Sequence, residues 1–211
     1  MSAPQITFAL TVEGPSDLDF LSSLVQRAIE TCVQHRYDAD VLPCVAPSTR
    51  PNSVSFPEWM AHVQSECPGV SLYFVHQDCD APNADRLHDG RWETWLERAD
   101  LPDRWVPVFP CRAMESWLLA DLGFLGQQLR LHSSDLTDLR QQPTVDNIND
   151  PKEHLDRLRR ASLHRRPPRT AVLRQRMGEN ASFLDLTARS PSFVRFKDAT
   201  CAAVDYLFQG Q

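Results

Sequence analysis

The chain has 211 residues, 42% of them hydrophobic and 24% charged, with a formal net charge of −6. That length suits one α/β domain with an appendage, and that composition can bury a sizeable core, which excludes disordered and collagen-like classes. No apolar run approaches the roughly 20 residues needed to span a bilayer, so no membrane association is expected.

The opening stretch, MSAPQITFAL, lacks a basic n-region and leads straight into a predicted strand. No signal peptide is expected from it, and the cytoplasm is the expected compartment. Residues 5–12 (QITFALTV) form an apolar run of strand length that ends in the turn-like Glu13-Gly14-Pro15-Ser16. An amphipathic helix follows, with Leu18, Leu21, Leu24, Val25, Ala28, Ile29, Cys32 and Val33 recurring at spacings of three and four. Ser16 with Asp19 gives it a start resembling a capping box. Further strands are predicted at 39–45, 70–76 and 105–109, and further helices at 58–66, 85–99 and 112–122. Residues 46–57 read as a loop rich in proline and serine. Beyond residue 125 only helices are predicted, chiefly 151–160 and 192–208, with 165–169 (RRPPR) as a loop.

Alternating strands and helices, with strands apolar throughout, predict an α/β fold built on a doubly wound, mainly parallel four-stranded sheet. Residues 1–125 would form this core, and 126–211 a helical extension packed on it as a single unit. The six cysteines (Cys32, Cys44, Cys67, Cys79, Cys111, Cys201) are scattered singly, with no CxxC pair. This excludes a zinc ribbon, and six reduced thiols are expected in the cytoplasm.

In an open α/β sheet, ligands bind at the carboxyl ends of the strands. Glu13 follows the first strand, Asp78 and Asp80 follow the third, and Glu115 opens the helix after the fourth. A parallel sheet would bring these acids to one edge, where carboxylate oxygens suit a hard ion such as Mg²⁺ or Mn²⁺. The blander readings are a solvated DxD loop, and a Glu115 that pairs with Arg112 on its own helix or favours the helix N-terminus. Residues 157–176 (RLRRASLHRRPPRTAVLRQR) hold eight arginines and no acid, in a chain whose 22 basic residues are nearly all arginine. Arginine forks suit phosphates, so Arg159, Arg160, Arg165 and Arg166, with Arg112, are the candidate phosphate contacts. Solvated helix faces are the alternative for this segment. No tyrosine occupies a nucleophile position, and a lone-cysteine hydrolase at Cys79 or Cys111 is a minor reading.

The stretch Val12-Glu13-Gly14-Pro15-Ser16-Asp17, with Phe74-Val75-His76-Gln77-Asp78-Cys79-Asp80, resembles the Toprim pattern of topoisomerases, bacterial primases and OLD-type nucleases. Residues 110–121 (PCRAMESWLLAD) are similar to the signature of a Toprim-related bacterial family, domain-of-unknown-function family 4276. Asn149-Asp150-Pro151-Lys152 and Ser190-Pro191-Ser192-Phe193 resemble its later landmarks. The resemblance implies a Toprim-like fold with Glu13 as general acid/base or metal ligand and Asp78 and Asp80 as Mg²⁺ ligands. Glu115 would be a further ligand or a site-organising acid. It further implies a metal-dependent nuclease of a bacterial defence or genome-maintenance system, acting on nucleic acid beside a partner ATPase. The Tyr-x-Lys element of relatives is missing, which leaves phosphate contacts to arginine. Two alternatives stand beside the nuclease: a non-catalytic Toprim-like module that binds an ATPase or nucleic acid, and a DxD phosphohydrolase of the haloacid-dehalogenase kind.

Overall fold

The computed structural model describes residues 3–34, 36–44, 46–49, 55–79, 96 and 102–209. The first apolar run divides at Thr7 into β1 (Gln5–Ile6) and β2 (Phe8–Val12). At the division the Thr7 N–H donates to Ser71 Oγ at 3.1 Å instead of entering a ladder. β1 pairs in parallel with β3 (Asp40–Val41). β2 lies inside a four-stranded parallel sheet of order β4 (Ala46–Thr49), β2, β5 (Leu72–His76), β6 (Trp105–Val108). The strand predicted at 39–45 is thus reduced to two residues, and a partner of β2 falls in the stretch read as a loop. Pro47 in β4 and Pro107 in β6 sit on the two edge strands, where a missing donor is tolerated and further strand addition is discouraged.

Strands β2, β5 and β6 are buried on both faces, as a parallel sheet covered on two sides requires. Phe8, Leu10, Val12, Leu72, Phe74, Val106 and Val108 face one cluster, and Ala9, Tyr73, Val75 and Trp105 face the other. α1 (Pro15–Gln34) covers the first face with the predicted stripe from Leu21 to Val33. α2 (Phe56–Glu66) covers the second with Trp59, Met60 and Val63. The helix predicted at 85–99 lies outside the described residues, apart from Leu96, which is helical.

Every element described after β6 is helical. The helices are α3 (Glu115–Leu118), α4 (Leu122–Leu129), α5 (Thr137–Gln141), α6 (Pro151–Ala161), α7 (Thr170–Asn180), α8 (Phe183–Arg189) and α9 (Pro191–Phe208). The helix predicted at 112–122 is interrupted because Asp121 caps α4, its carboxylate accepting from the Phe124 N–H at 2.8 Å. Leu173 and Met177 of α7, with Phe193 and Phe196 of α9, join the same core cluster as α1 and β2. Arg27 of α1 donates to the Gly178 and Ala181 carbonyls at 2.9 and 2.6 Å, a cation placed on the orphan carbonyls of the α7 C-terminus. Among the described residues no helix is long and apolar enough to cross a membrane.

The expectation of six free thiols is corrected. Cys32 in α1 and Cys201 in α9 form a disulfide, with Cα atoms 5.2 Å apart. Cys44, Cys67, Cys79 and Cys111 lie outside any disulfide. The pair is 169 residues apart in sequence, so only the packing of α9 against α1 brings the sulfurs together. Closing a loop of that length constrains the unfolded chain by about 5 kcal/mol in the chain-entropy account. The ends of the same two helices are further joined by an Arg36–Asp205 ion pair and by stacking of Tyr37 on Phe208, ring centroids 4.1 Å apart.

Candidate functional site

The order β2-β5-β6 sets three strand ends side by side, so the loops that follow them meet at one edge of the sheet. Glu13 leaves β2, and its Oε2 accepts the backbone N–H of Asp78, just past β5, at 3.1 Å. Asp78 in turn reaches the loop after β6, where its Oδ1 accepts from the Met114 N–H at 3.0 Å. Two of the four predicted acids are therefore joined through one backbone amide. Asp80 lies outside the described residues.

Asp78 is not set in a purely acidic cluster. His76 Nε2 lies 3.3 Å from Asp78 Oδ1, and Lys152 Nζ lies 3.7 Å from Asp78 Oδ2. Burial alone would raise the Asp78 carboxyl, but His76, Lys152 and the Met114 N–H outweigh it and hold the group below its usual range. The His76 side chain has no solvent exposure, and its Nδ1 is 3.7 Å from Asp17 Oδ2. Neither ring nitrogen makes a hydrogen bond, although both face carboxylates. Asp17 is itself fixed by the turn after β2, where its Oδ2 accepts from the Gly14 N–H at 3.2 Å.

Arg112 occupies a left-handed conformation with φ 63°. A side chain held there costs on the order of 1 kcal/mol or more, and such strain collects at functional sites. Its Nη2 donates to Asn149 Oδ1 at 2.8 Å, which fastens the loop after β6 to the start of α6. Asp150 caps α6 by accepting from the Glu153 N–H at 2.8 Å, and Pro151 occupies the first turn. Lys152 follows directly, which is how this turn delivers an ammonium to Asp78. His76, Asp17, Asn149 and Lys152 are the site residues that sequence reasoning missed. One signal was available: Lys152 is one of two lysines in the chain and stands inside a quoted landmark.

Glu115 has one carboxylate oxygen engaged by a cation, while its Oε2 is buried without a hydrogen bond. It is 3% exposed and pairs with Arg174 of α7, not with Arg112. The rest of the signature is likewise a set of buried anchors. Trp117 Nε1 donates to Ser192 Oγ at 2.8 Å, and its ring meets Phe193 edge-on. The buried Asp146 accepts from Ser190 Oγ at 2.8 Å and from the Ser192 N–H at 2.7 Å. Asp121 also accepts from the Ser182 N–H at 2.8 Å, tying α8 to the α4 cap. These bonds fix the helical half of the chain to the strand-end loops.

The arginine segment is partly consumed by the fold. Arg159 pairs with Asp156 at 3.1 Å, Arg174 with Glu115, and Arg176 donates to Gln128 at 2.9 Å. Arg160, Arg165, Arg166 and Arg169 are exposed. The loop that carries Arg165 and Arg166 is held against α4 by Ser162 Oγ, which donates to the Leu129 carbonyl at 2.6 Å. Lys152 and this loop lie at opposite ends of α6. Nine residues of helical rise separate them by roughly 14 Å, about four base pairs of duplex axis.

Among the described residues no group of three His, Cys, Asp or Glu side chains converges as a metal site. Glu13 and Asp78 offer carboxylate oxygens, the donor type suited to a hard ion such as Mg²⁺, which keeps several waters and takes one or two carboxylates with the substrate phosphate. Burial, together with the neighbouring Cys111 thiol and Asp78 carboxylate, pushes the Cys79 thiol up to about 12. A thiol raised in this way is a weak nucleophile at neutral pH, which disfavours the lone-cysteine hydrolase reading at that residue. Comparison with known proteins returns no matching family model, no matching curated protein and no matching solved structure.

Proposed function

We propose that this chain is a Toprim-like, Mg²⁺- or Mn²⁺-dependent nuclease, with its centre at the strand ends of β2 and β5. The observation that carries this reading is the Glu13–Asp78 linkage at adjacent parallel strand ends, with the Lys152 ammonium beside Asp78. Bound between Glu13 and Asp78, the divalent ion would supply charge neutralisation at a phosphodiester and activation of water. Glu13, oriented by the Asp78 amide, is the group suited to take a proton from the attacking water. Arg112, whose guanidinium Asn149 holds in the loop after β6, is suited to charge on the phosphate. Arg160, Arg165 and Arg166 would hold the same nucleic acid farther along its backbone, one helix length away. Glu115 has no step in this scheme; its pairing with Arg174 makes it an organiser of the fold. The setting proposed for this activity is a bacterial defence or genome-maintenance system.

The test is cleavage and binding measured together on single- and double-stranded DNA and RNA. With Mg²⁺ or Mn²⁺ the wild type cleaves at least one of these substrates. Glu13→Gln and Asp78→Asn each lower the rate by about a hundredfold or more while binding persists. Alanine at Arg165 and Arg166 weakens binding and reduces the log-log salt slope by about 0.9 per lost contact on duplex DNA. A wild type that cleaves none of the four, or acid variants that cleave normally, would exclude the nuclease. A second reading, a binding module for nucleic acid or a partner ATPase, is favoured by one observation: Asp78 already has a cationic partner in Lys152. That reading expects binding without cleavage.

A further inference from the structure

We propose that Lys152 is the built-in counter-cation of this site, and that a divalent ion must displace its ammonium from Asp78 in order to bind. The inference deepens the proposed function and rests on its metal site. Asp78 has two carboxylate oxygens with different surroundings. Oδ1 accepts the Met114 N–H at 3.0 Å and faces His76 Nε2 at 3.3 Å. Oδ2 faces Lys152 Nζ at 3.7 Å. A metal needs an oxygen directed away from the protein's own donors, and Oδ2 is the one that a movable group covers. His76 cannot vacate its position, because its side chain has no exposure and it is wedged between Asp17 and Asp78. Lys152 can, because its side chain is 61% exposed and its stem is flexible.

The backbone beneath Lys152 is rigid, with the Asp150 cap and Pro151 fixing the first turn of α6. The ammonium therefore swings between Asp78 and solvent on a fixed base, and it returns when the ion leaves. Such an arrangement keeps Asp78 neutralised in the metal-free protein and makes affinity for the ion lower than the two acids alone would give. An exposed ion pair is worth little on its own. A retained positive charge several ångströms from a doubly charged ion adds repulsion of similar size even in high dielectric.

The experiment measures Mn²⁺ affinity of the full chain by calorimetry and by the free-Mn²⁺ spin resonance signal, with no substrate present. Lys152→Met is expected to bind Mn²⁺ about fivefold more tightly than the wild type, from the two contributions just given. Lys152→Arg keeps the charge and is expected to bind as the wild type does. Lys197→Met, which removes the chain's other lysine, controls for net charge and should also match the wild type. Because Lys152 is exposed, its variants are expected to fold, which the unchanged melting of the metal-free proteins would verify. A wild type that binds Mn²⁺ with Lys152→Met no tighter overturns the displacement and leaves the metal site standing. Absence of Mn²⁺ binding in every variant overturns both.

Discussion

Replacing Glu115 with alanine is expected to destabilise the protein by about 3–5 kcal/mol, because it leaves the Arg174 guanidinium buried without its partner. The side chains of Glu115 and Arg174 are only 4% and 13% exposed. In a chain of this size such a loss lowers Tm by on the order of 10 °C. The double replacement Glu115→Leu with Arg174→Met removes both charges and should recover most of that loss, since an apolar pair of similar volume replaces a buried ion pair at little net cost. Denaturant midpoints for the two singles and the double would check this. A Glu115→Ala loss below about 1 kcal/mol would mean that the pair is solvated. The cycle also bears on function, because lost activity in Glu115→Ala would then follow from unfolding and would not identify a metal ligand.

Gly178→Ala is the second large effect expected. A Cβ at this position would stand 2.3 Å from the carbonyl oxygen of Phe20 and 3.1 Å from its carbon. Those atoms are backbone, so α7 and α1 must separate. Separation would draw the Gly178 and Ala181 carbonyls away from Arg27, whose guanidinium also lies 4.6 Å from the Phe183 ring centroid. Alanine favours helix by about 1 kcal/mol over glycine, but overpacking and the broken bonds outweigh it. A net loss of about 3 kcal/mol in urea unfolding is expected. Gly69→Ala is the control, since nothing lies within 4 Å of its Cβ, and it should change stability by less than about 0.5 kcal/mol.

Much of the architecture was legible because periodicity reports burial. The helical stripe from Leu21 to Val33 and the apolar runs in β2, β5 and β6 told which faces are covered, and parallel order followed from the alternation of elements. Periodicity does not report partners. The Glu115–Arg174 pair spans 59 residues, and the Cys32–Cys201 bond spans 169, and neither leaves a local mark. The same limit applied at the site. Strand ends and topology pointed to Glu13 and Asp78; the rarity of lysine marked Lys152, but not that capping of α6 by Asp150 would carry its ammonium to Asp78. The like-charge cluster inferred from sequence is in the structure a mixed one, because buried carboxylates recruit cations from distant segments. The division of the first strand at Thr7 was hidden for a related reason, being decided by Ser71, 64 residues away.

In the proposed site Glu13 and Asp78 together bind a divalent ion. Melting of the wild type as a function of Mg²⁺ and Mn²⁺ tests it most directly, beside the double variant Glu13→Gln with Asp78→Asn. Stability of the wild type should rise as RT ln(1 + [L]/Kd), reaching about 2.7 kcal/mol at a hundredfold excess over Kd, while the double variant stays unresponsive. A wild-type melting curve unmoved by millimolar divalent ions, or an equal rise in the double variant, would contradict the account.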